Sequence, residues 1–116
     1  MELGEKLHCA ILAIKGRIEE KQCNEIVKDI IEKIKMHPAY SSVTYNYPVD
    51  NKGGVGYTFF QPITESFIAF DAWPDLGGAY LVICSCRDFS VVTVMEAVSN
   101  AGFDCRELQT VGVGIR

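Results

Sequence analysis

Residues 64–75 read Thr64-Glu65-Ser66-Phe67-Ile68-Ala69-Phe70-Asp71-Ala72-Trp73-Pro74-Asp75, and Cys86 follows eleven residues later. The centre of this stretch is apolar and has the length of a half-buried or buried strand. Proline cannot donate to a sheet ladder, so Pro74 marks the end of the apolar run. The stretch predicts a strand over residues 63–72, with side chains capable of chemistry on and beside it.

Further strand candidates lie on both sides of this one. A short apolar run, 7–14, closes at Lys15-Gly16, and residues 42–47 alternate three large side chains with three small polar ones. Residues 48–54 read as a polar loop, and Gln61-Pro62 reads as a joint between two strands. The predicted strands are 7–14, 42–47, 55–60, 63–72, 79–86 and 104–111.

Two segments have helical periodicity. Residues 18–37 carry one apolar stripe with charged residues on the other side, and Pro38 ends the pattern. We interpret these charges as a solvated face. A second helix begins after Asp88 or Ser90, either of which can act as its N-cap, and it stops at Gly102.

The element order is therefore β-α-β-β-β-β-α-β over a single domain, 1–116. Two helices cannot connect six strands by parallel crossovers, because each parallel connection usually needs its own helix. The sequence thus predicts an α+β fold, in which a mostly antiparallel six-stranded sheet carries both helices on one face. Its other face would be left in water, which favours a homodimer.

The composition of the chain argues against some classes of partner. The 116 residues are 48% hydrophobic and have a formal net charge of −4, which argues against nucleic acid as a partner. No apolar run is long enough to span a membrane, and the first residues lack the apolar core of a signal peptide, so we expect a cytoplasmic protein without a membrane partner. The five cysteines have no C-x-x-C spacing, which favours reduced thiols.

The stretch 64–75 together with Cys86 resembles the self-cleavage segment of the prokaryotic S-adenosylmethionine decarboxylases. The usual pattern there is Ser-Glu-Ser-His-x-x-x-His-x-Trp-Pro-Glu, with a cysteine on the next strand. The resemblance implies a break at the Glu65–Ser66 bond and conversion of Ser66 into a pyruvoyl cofactor, an electron sink of the kind that pyridoxal phosphate provides. Because the element order also matches, the resemblance covers almost the whole chain. It implies a symmetric homodimer whose active site involves both protomers.

The resemblance also implies roles for single residues. Cys86 matches a cysteine that serves as a proton donor and also assists self-processing. Thr58 and Asp71 match a hydroxyl and an imidazole that promote self-processing. Trp73, with Asp75, matches the ligand pocket, where an indole face suits a sulfonium cation or a purine. We therefore expect Trp73 to lie close to Ser66 and Cys86.

Each of these residues also has a structural interpretation. Cys86 could be a packed strand residue, Asp71 a hydrogen-bonded residue near the strand end, and Trp73 an anchor of the core or of a dimer interface. A metal site built from Cys84, Cys86, His8 and Cys9 is weakly supported, because a C-x-C pair does not supply four ligands.

The chain departs from the family pattern at both histidines, where Phe67 and Asp71 stand. A carboxylate is a weaker base than imidazole by about two to three pKa units. The sequence therefore predicts a decarboxylase-like protein with impaired self-processing at Glu65–Ser66 and weak or lost activity. Either its cleft binds a small molecule or its dimer serves a structural role. The alternative is an active pyruvoyl-dependent decarboxylase of S-adenosylmethionine, in polyamine biosynthesis, or of another amino acid.

Overall fold

The computed structural model describes residues 6–49 and 54–114. Along the chain the elements are β1 (Lys6–Lys15), α1 (Glu20–Lys33), β2 (Val43–Val49), β3 (Gly54–Ile63), β4 (Ser66–Trp73), β5 (Gly78–Ser85), α2 (Val91–Asn100) and β6 (Asp104–Gly114). The six strands form one antiparallel sheet in the order β2-β3-β4-β5-β1-β6. The predicted α+β class and element order are confirmed.

One face of the sheet packs against both helices and forms the core. Alternate residues of the inner strands are buried there, as the period of two along a strand requires. The sheet contributes Ala10, Leu12, Ile14, Phe59, Ile68, Phe70, Leu81 and Ile83, and the helices contribute Ile26, Val27, Ile30, Val94, Ala97 and Val98. Burial of this apolar surface is the main favourable contribution to folding.

The opposite face of the sheet, the open face, is covered by neither helix. The register places Val43, Phe60, Ala69, Val82 and Ile11 in one row across β2, β3, β4, β5 and β1. Val43 is 42% exposed, and the other four are half-buried by their neighbours in the sheet. The open face therefore carries a continuous apolar row in its middle.

The first helix is shorter than the predicted range 18–37. It ends at Lys33 because Lys35 adopts a left-handed φ of 58°. The carbonyls of Ile34 and Lys35 then accept hydrogen bonds from the guanidinium of Arg87, which satisfies the end of the helix. The partner that stops the helix comes from 52 residues away, so local sequence did not reveal it.

The second helix has one of its two predicted caps. Ser90 Oγ accepts the backbone N–H of Thr93 at 3.2 Å, so Ser90 is the N-cap. The carboxylate of Asp88 accepts the N–H of Phe89 instead.

The turn between β3 and β4 lies at Thr64 and Glu65, so the predicted joint at Gln61-Pro62 was wrong. Pro62 is tolerated within β3 because β2 has already ended there, its last pair being Val43 with Phe60. The carbonyl of Pro62 accepts the N–H of Ala39 on that side, at 3.0 Å. The missing N–H of Pro62 therefore costs no bond of the β3–β4 ladder. The loop predicted at 48–54 includes residues 50–53, which lie outside the described residues.

Candidate functional site

The Glu65–Ser66 peptide lies where the β3–β4 turn enters β4. The carbonyl oxygen of Glu65 accepts the backbone N–H of Cys86 at 2.9 Å. Ser66 pairs with Ser85, the residue before Cys86. The structure therefore brings Glu65, Ser66 and Cys86 together, as predicted, and a hydrogen-bond donor polarises the carbonyl that lies next to the serine.

The side chain of Glu65 is held by His37, a residue that the sequence analysis did not select. The backbone N–H of His37 donates to Oε1 at 3.1 Å, and its ring Nδ1 lies 2.9 Å from Oε2. The N–H of Thr64 donates to the carbonyl of His37 at 2.8 Å. The Glu65 side chain is only 9% exposed, whereas the His37 side chain is 71% exposed. These contacts fix the turn that carries the Glu65–Ser66 peptide.

The same contacts set the ionisation of Glu65. Burial raises the pKa of its carboxyl, but the hydrogen bonds from the ring and backbone of His37, with further ones from the turn, lower it by more. The net pKa lies below the ordinary value of 4.5. At neutral pH Glu65 is therefore an anion, and it serves as a hydrogen-bond acceptor rather than as an acid.

Replacing Glu65 with glutamine is expected to remove a pH-dependent part of the stability. A carboxyl whose pKa is lowered by folding stabilises the folded state above its unfolded pKa, and this stabilisation is lost as the pH falls through the folded pKa. Below about pH 4.5, wild type should therefore lose unfolding free energy more steeply than Glu65→Gln in urea titrations. Asp29→Asn, at a surface pair on α1, is the matched control. Equal slopes for wild type and Glu65→Gln would contradict the assignment.

Thr58 and Asp71 form a second cluster, on the open face. They are direct partners across β3 and β4, and Asp71 Oδ1 accepts the hydroxyls of Tyr47 at 2.6 Å and of Thr58 at 3.1 Å. Burial, followed by the bond to Asp71, raises the pKa of Tyr47, so its phenol keeps the proton that it donates. The contacts of Asp71 are those of a hydrogen-bonded strand residue.

A glycine allows Tyr47 to reach Asp71 across β3. Tyr47 pairs with Gly56, and a Cβ at Gly56 would lie 2.8 Å from the tyrosine ring and 3.2 Å from the indole of Trp73. The absence of a side chain there lets the tyrosine ring pass over the strand. The role of Tyr47 was missed in the sequence, although the alternation of 42–47 does place it on the same face as Tyr45.

The two clusters are far apart within one chain. Ser66 begins β4, and Asp71 comes five residues later on the same strand, a distance of about 16 Å at ~3.3 Å per residue. Neither Thr58 nor Asp71 can therefore touch the Glu65–Ser66 peptide of its own chain.

Trp73 lies still further from Ser66, at the other end of β4, about 23 Å away at the same rise per residue. The expectation that Trp73 lies close to Ser66 and Cys86 is therefore wrong within one chain. The indole packs edge-to-face on Tyr80, with ring centroids 5.9 Å apart. Both rings line a cavity of about 310 Å³, together with Ala13, Ile14, Leu76, Gly78 and Ala79. The indole is half-buried, so it borders a cavity and is not part of the core.

Asp75 forms an ion pair within the chain. Its Oδ1 accepts Nη1 of Arg17 at 2.7 Å, and Nε of Arg17 donates to Glu19 at 2.8 Å. The hydrogen bond that Arg17 donates to Asp75, followed by the one that it donates to Glu19, raises the pKa of Arg17. These contacts join the start of α1 to the turn after Trp73, and a ligand-binding role for Asp75 stays a prediction.

The remaining thiols include one close pair. Cys9 and Cys84 are direct partners across β1 and β5, with their sulfur atoms 3.2 Å apart, and both are free thiols. Burial raises the pKa of Cys84, which keeps this thiol protonated. Within residues 6–49 and 54–114, no three His, Cys, Asp or Glu side chains lie close enough together to hold a metal ion.

None of the helices in the described part of the chain has the length and apolar character needed to cross a membrane.

Comparison with known proteins gave one finding about the family. No curated protein matches the sequence. The family model for S-adenosylmethionine decarboxylase matches residues 15–110, which includes β2 to β5, both helices, and both clusters. The chain belongs to the S-adenosylmethionine decarboxylase family.

Proposed function

We propose that this protein is a decarboxylase-like member of its family that keeps the first half of the self-processing machinery and lacks the second. In this proposal cleavage at Glu65–Ser66 is impaired and decarboxylase activity is weak or lost. The proposal rests on the difference between the two clusters of site residues. Ser66 lies beside a polarised carbonyl, whereas the position matched to the processing imidazole holds Asp71, with two hydroxyls bound to its Oδ1.

The first step of processing is well supported by this geometry. The hydroxyl oxygen of Ser66 attacks the carbonyl carbon of Glu65, and the N–H of Cys86, 2.9 Å from that oxygen, stabilises the negative charge that develops on it. Cleavage of the C–N bond then leaves Glu65 esterified to the Ser66 hydroxyl, with a free amine on Ser66. The proton of the Ser66 hydroxyl moves to the Ser66 nitrogen in this step.

The second step requires a base. Removal of the Ser66 α-proton expels the Glu65 carboxylate and leaves a dehydroalanine, whose hydrolysis releases ammonia and leaves a ketone. The pyruvoyl group so formed supplies the electron sink for decarboxylation of an amine-bearing substrate. Aspartate is in general a much weaker base than histidine. We therefore expect the chain to stall between the acyl shift and the elimination.

We further propose a two-fold homodimer that buries the open face. Its apolar row, Val43, Phe60, Ala69, Val82 and Ile11, is a surface that a lone protomer leaves in water. A two-fold axis that lies between the two stacked faces, perpendicular to the strands, sets the Ser66 end of one protomer against the Asp71 end of its partner. Each composite site then takes Ser66 and Cys86 from one chain and Thr58, Asp71 and Trp73 from the other. The acidic composition and free thiols support a cytoplasmic location.

The second candidate is an active pyruvoyl-dependent decarboxylase, acting on S-adenosylmethionine in polyamine biosynthesis or on another amino acid. The retained contact between the Glu65 carbonyl and the Cys86 N–H favours it, because that contact supports the first step of the processing that an active enzyme needs.

Intact mass spectrometry with and without hydroxylamine tests the proposal. Purified protein is expected to be mostly one chain at neutral pH. Hydroxylamine should open the ester and give fragments of 65 and 51 residues (116 − 65 = 51). The sequence contains no Asn-Gly pair, the bond that hydroxylamine ordinarily cuts. Ser66→Ala is the control and should stay whole.

Two other outcomes decide against the proposal in different ways. If wild type already consists of the two fragments and the second has a blocked N-terminus, the active decarboxylase is correct. If hydroxylamine produces no cut at Glu65–Ser66 in folded protein, Ser66 is not poised for attack and the retained geometry serves no processing.

A further inference from the structure

Cys9 and Cys84 form a close pair of thiols that the proposed processing does not use. They face each other across β1 and β5, and the S–H of Cys84 donates to the sulfur of Cys9 at 3.2 Å. They lie two residues along their strands from Ile11 and Val82 of the apolar row, and therefore on the same open face. Phe67 flanks Cys84 on β4, so the pair stands at the Ser66 end of this face.

The sheet holds the two residues at the separation that a disulfide needs. Facing Cα atoms of an antiparallel pair are about 4.5–5.5 Å apart, which lies within the roughly 4.4–6.8 Å that a disulfide spans. The sulfur atoms, now 3.2 Å apart, have to approach by about 1.1 Å to reach a bond length of ~2.05 Å. Rotation of the two side chains supplies this approach, so the backbone does not need to move.

The remaining thiols have other surroundings. Cys23 contacts a buried tyrosine hydroxyl, and Cys105 donates to a carbonyl of α2. Cys86 lies beyond the end of β5, where its backbone N–H bonds to the carbonyl of Glu65. The register therefore makes Cys9 the facing partner of Cys84.

The two thiols of the pair differ in their access to a reagent. Cys84 is only 8% exposed, and burial raises the pKa of its thiol to about 12, so it stays protonated at neutral pH. Cys9 is half-buried, so a small oxidant that enters the cleft meets Cys9 first. Cys9 thus has the place of the thiol that is oxidised, and Cys84 that of the thiol that resolves it.

We propose that Cys9 and Cys84 form a reversible disulfide on oxidation by a hydroperoxide, which makes the pair a redox-sensitive modification site on the open face. This site does not depend on the proposed function, because both cysteines belong to one chain and cleavage uses neither. In the proposed dimer the pair would line the cleft between protomers, so the oxidant has to be small. A disulfide in a reducing compartment is usually transient, which suits a reversible modification.

The oxidation takes two steps. The sulfur of Cys9 attacks one oxygen of hydrogen peroxide, the O–O bond breaks, one water leaves, and Cys9 becomes a sulfenic acid. The sulfur of Cys84 then attacks the sulfur of Cys9, and the S–O bond breaks. The thiol proton of Cys84 leaves with the hydroxyl as a second water. The two thiols lose two electrons and two protons in all, and the peroxide is reduced to two waters.

Thiol counting by mass spectrometry tests this site. Reduced protein is freed of reductant, treated while folded with a small excess of hydrogen peroxide, then unfolded in urea and alkylated with N-ethylmaleimide. The number of alkylated cysteines should fall from five to three (5 − 2 = 3), and peptide mapping should place the link between Cys9 and Cys84. Dithiothreitol should restore all five.

Three variants and a second readout accompany this measurement. Cys9→Ser and Cys84→Ser should form no link, whereas Cys105→Ser, which also removes one thiol, should form it as wild type does. Oxidised wild type should melt about 5 °C or more above the reduced protein, because a bridge between residues 75 positions apart restricts the unfolded chain. The same treatment should not raise the melting temperature of Cys84→Ser.

Several results would overturn the proposal. One is folded wild type that keeps five alkylated cysteines, and another is oxidation of Cys9 to a sulfinic acid without a link. A link that forms only in urea, that involves Cys86 or that joins two chains would also contradict it, as would a bridge that lowers the melting temperature. Hydroxylamine cleavage at Glu65–Ser66 is measured on reduced protein, so either proposal can fail without the other.

Discussion

Replacing Asp71 with histidine is expected to raise spontaneous cleavage at Glu65–Ser66 by about 100-fold or more, the usual contribution of a positioned general base. The imidazole supplies the missing basicity near neutral pH, and the hydroxyls of Tyr47 and Thr58 remain to orient its ring. Fragments of 65 and 51 residues should accumulate with time in intact mass spectra.

Two variants control this result. Asp29→His introduces the same residue on α1 and should leave the chain whole, and Ser66→Ala combined with Asp71→His should never be cut. If Asp71→His folds and remains whole while hydroxylamine still cuts it, the defect does not lie in the base. Phe67→His, the other family position, would then be the next substitution to combine with it.

Replacing Val82 with lysine is expected to convert the proposed dimer into a monomer. Val82 lies in the apolar row of the open face, between Ala69 and Ile11, so the lysine puts an unpaired charge into the proposed interface twice per dimer. Light scattering should give about twice the 12.9 kDa of one chain for wild type and 12.9 kDa for the variant.

Val92→Lys is the matched control, because Val92 is 64% exposed on α2, on the other side of the sheet. It should remain dimeric. A wild-type protein that is monomeric at micromolar concentration, or a dimer that survives Val82→Lys, would show that the open face is not the interface.

The fold was largely predictable because local patterns and tertiary packing agree. The alternation of strand residues and the apolar stripe of α1 place the same side chains in the core that the structure buries there, including Ile26, Val27 and Ile30. Two boundaries were not predictable, since distant residues set them. Arg87 stops α1 early, and the end of β2 allows β3 to continue through Pro62.

The candidate site was only partly predictable. The resemblance of residues 64–75 and Cys86 to the family pattern identified one cluster. The structure brings Glu65, Ser66 and Cys86 together because a tight turn joins β3 to β4 and β5 returns beside them. His37 and Tyr47 were missed because their partners lie 28 and 24 residues away. Trp73 and Ser66 lie at opposite ends of β4. A match to a sequence motif does not give the distance between its residues in the fold.

The most direct test of the divided site is cleavage across the dimer. One chain carries Ser66→Ala and Asp71→His, so that it supplies a base but has no serine, and it is coexpressed with an affinity-tagged wild-type chain. We expect the tagged chain, purified from the mixture, to appear as two fragments cut at Glu65–Ser66 in intact mass spectra, while the tagged chain expressed alone stays whole. If the tagged chain stays whole in proven mixed dimers, although Asp71→His alone is cut, the base acts within its own chain and the two-protomer site is wrong.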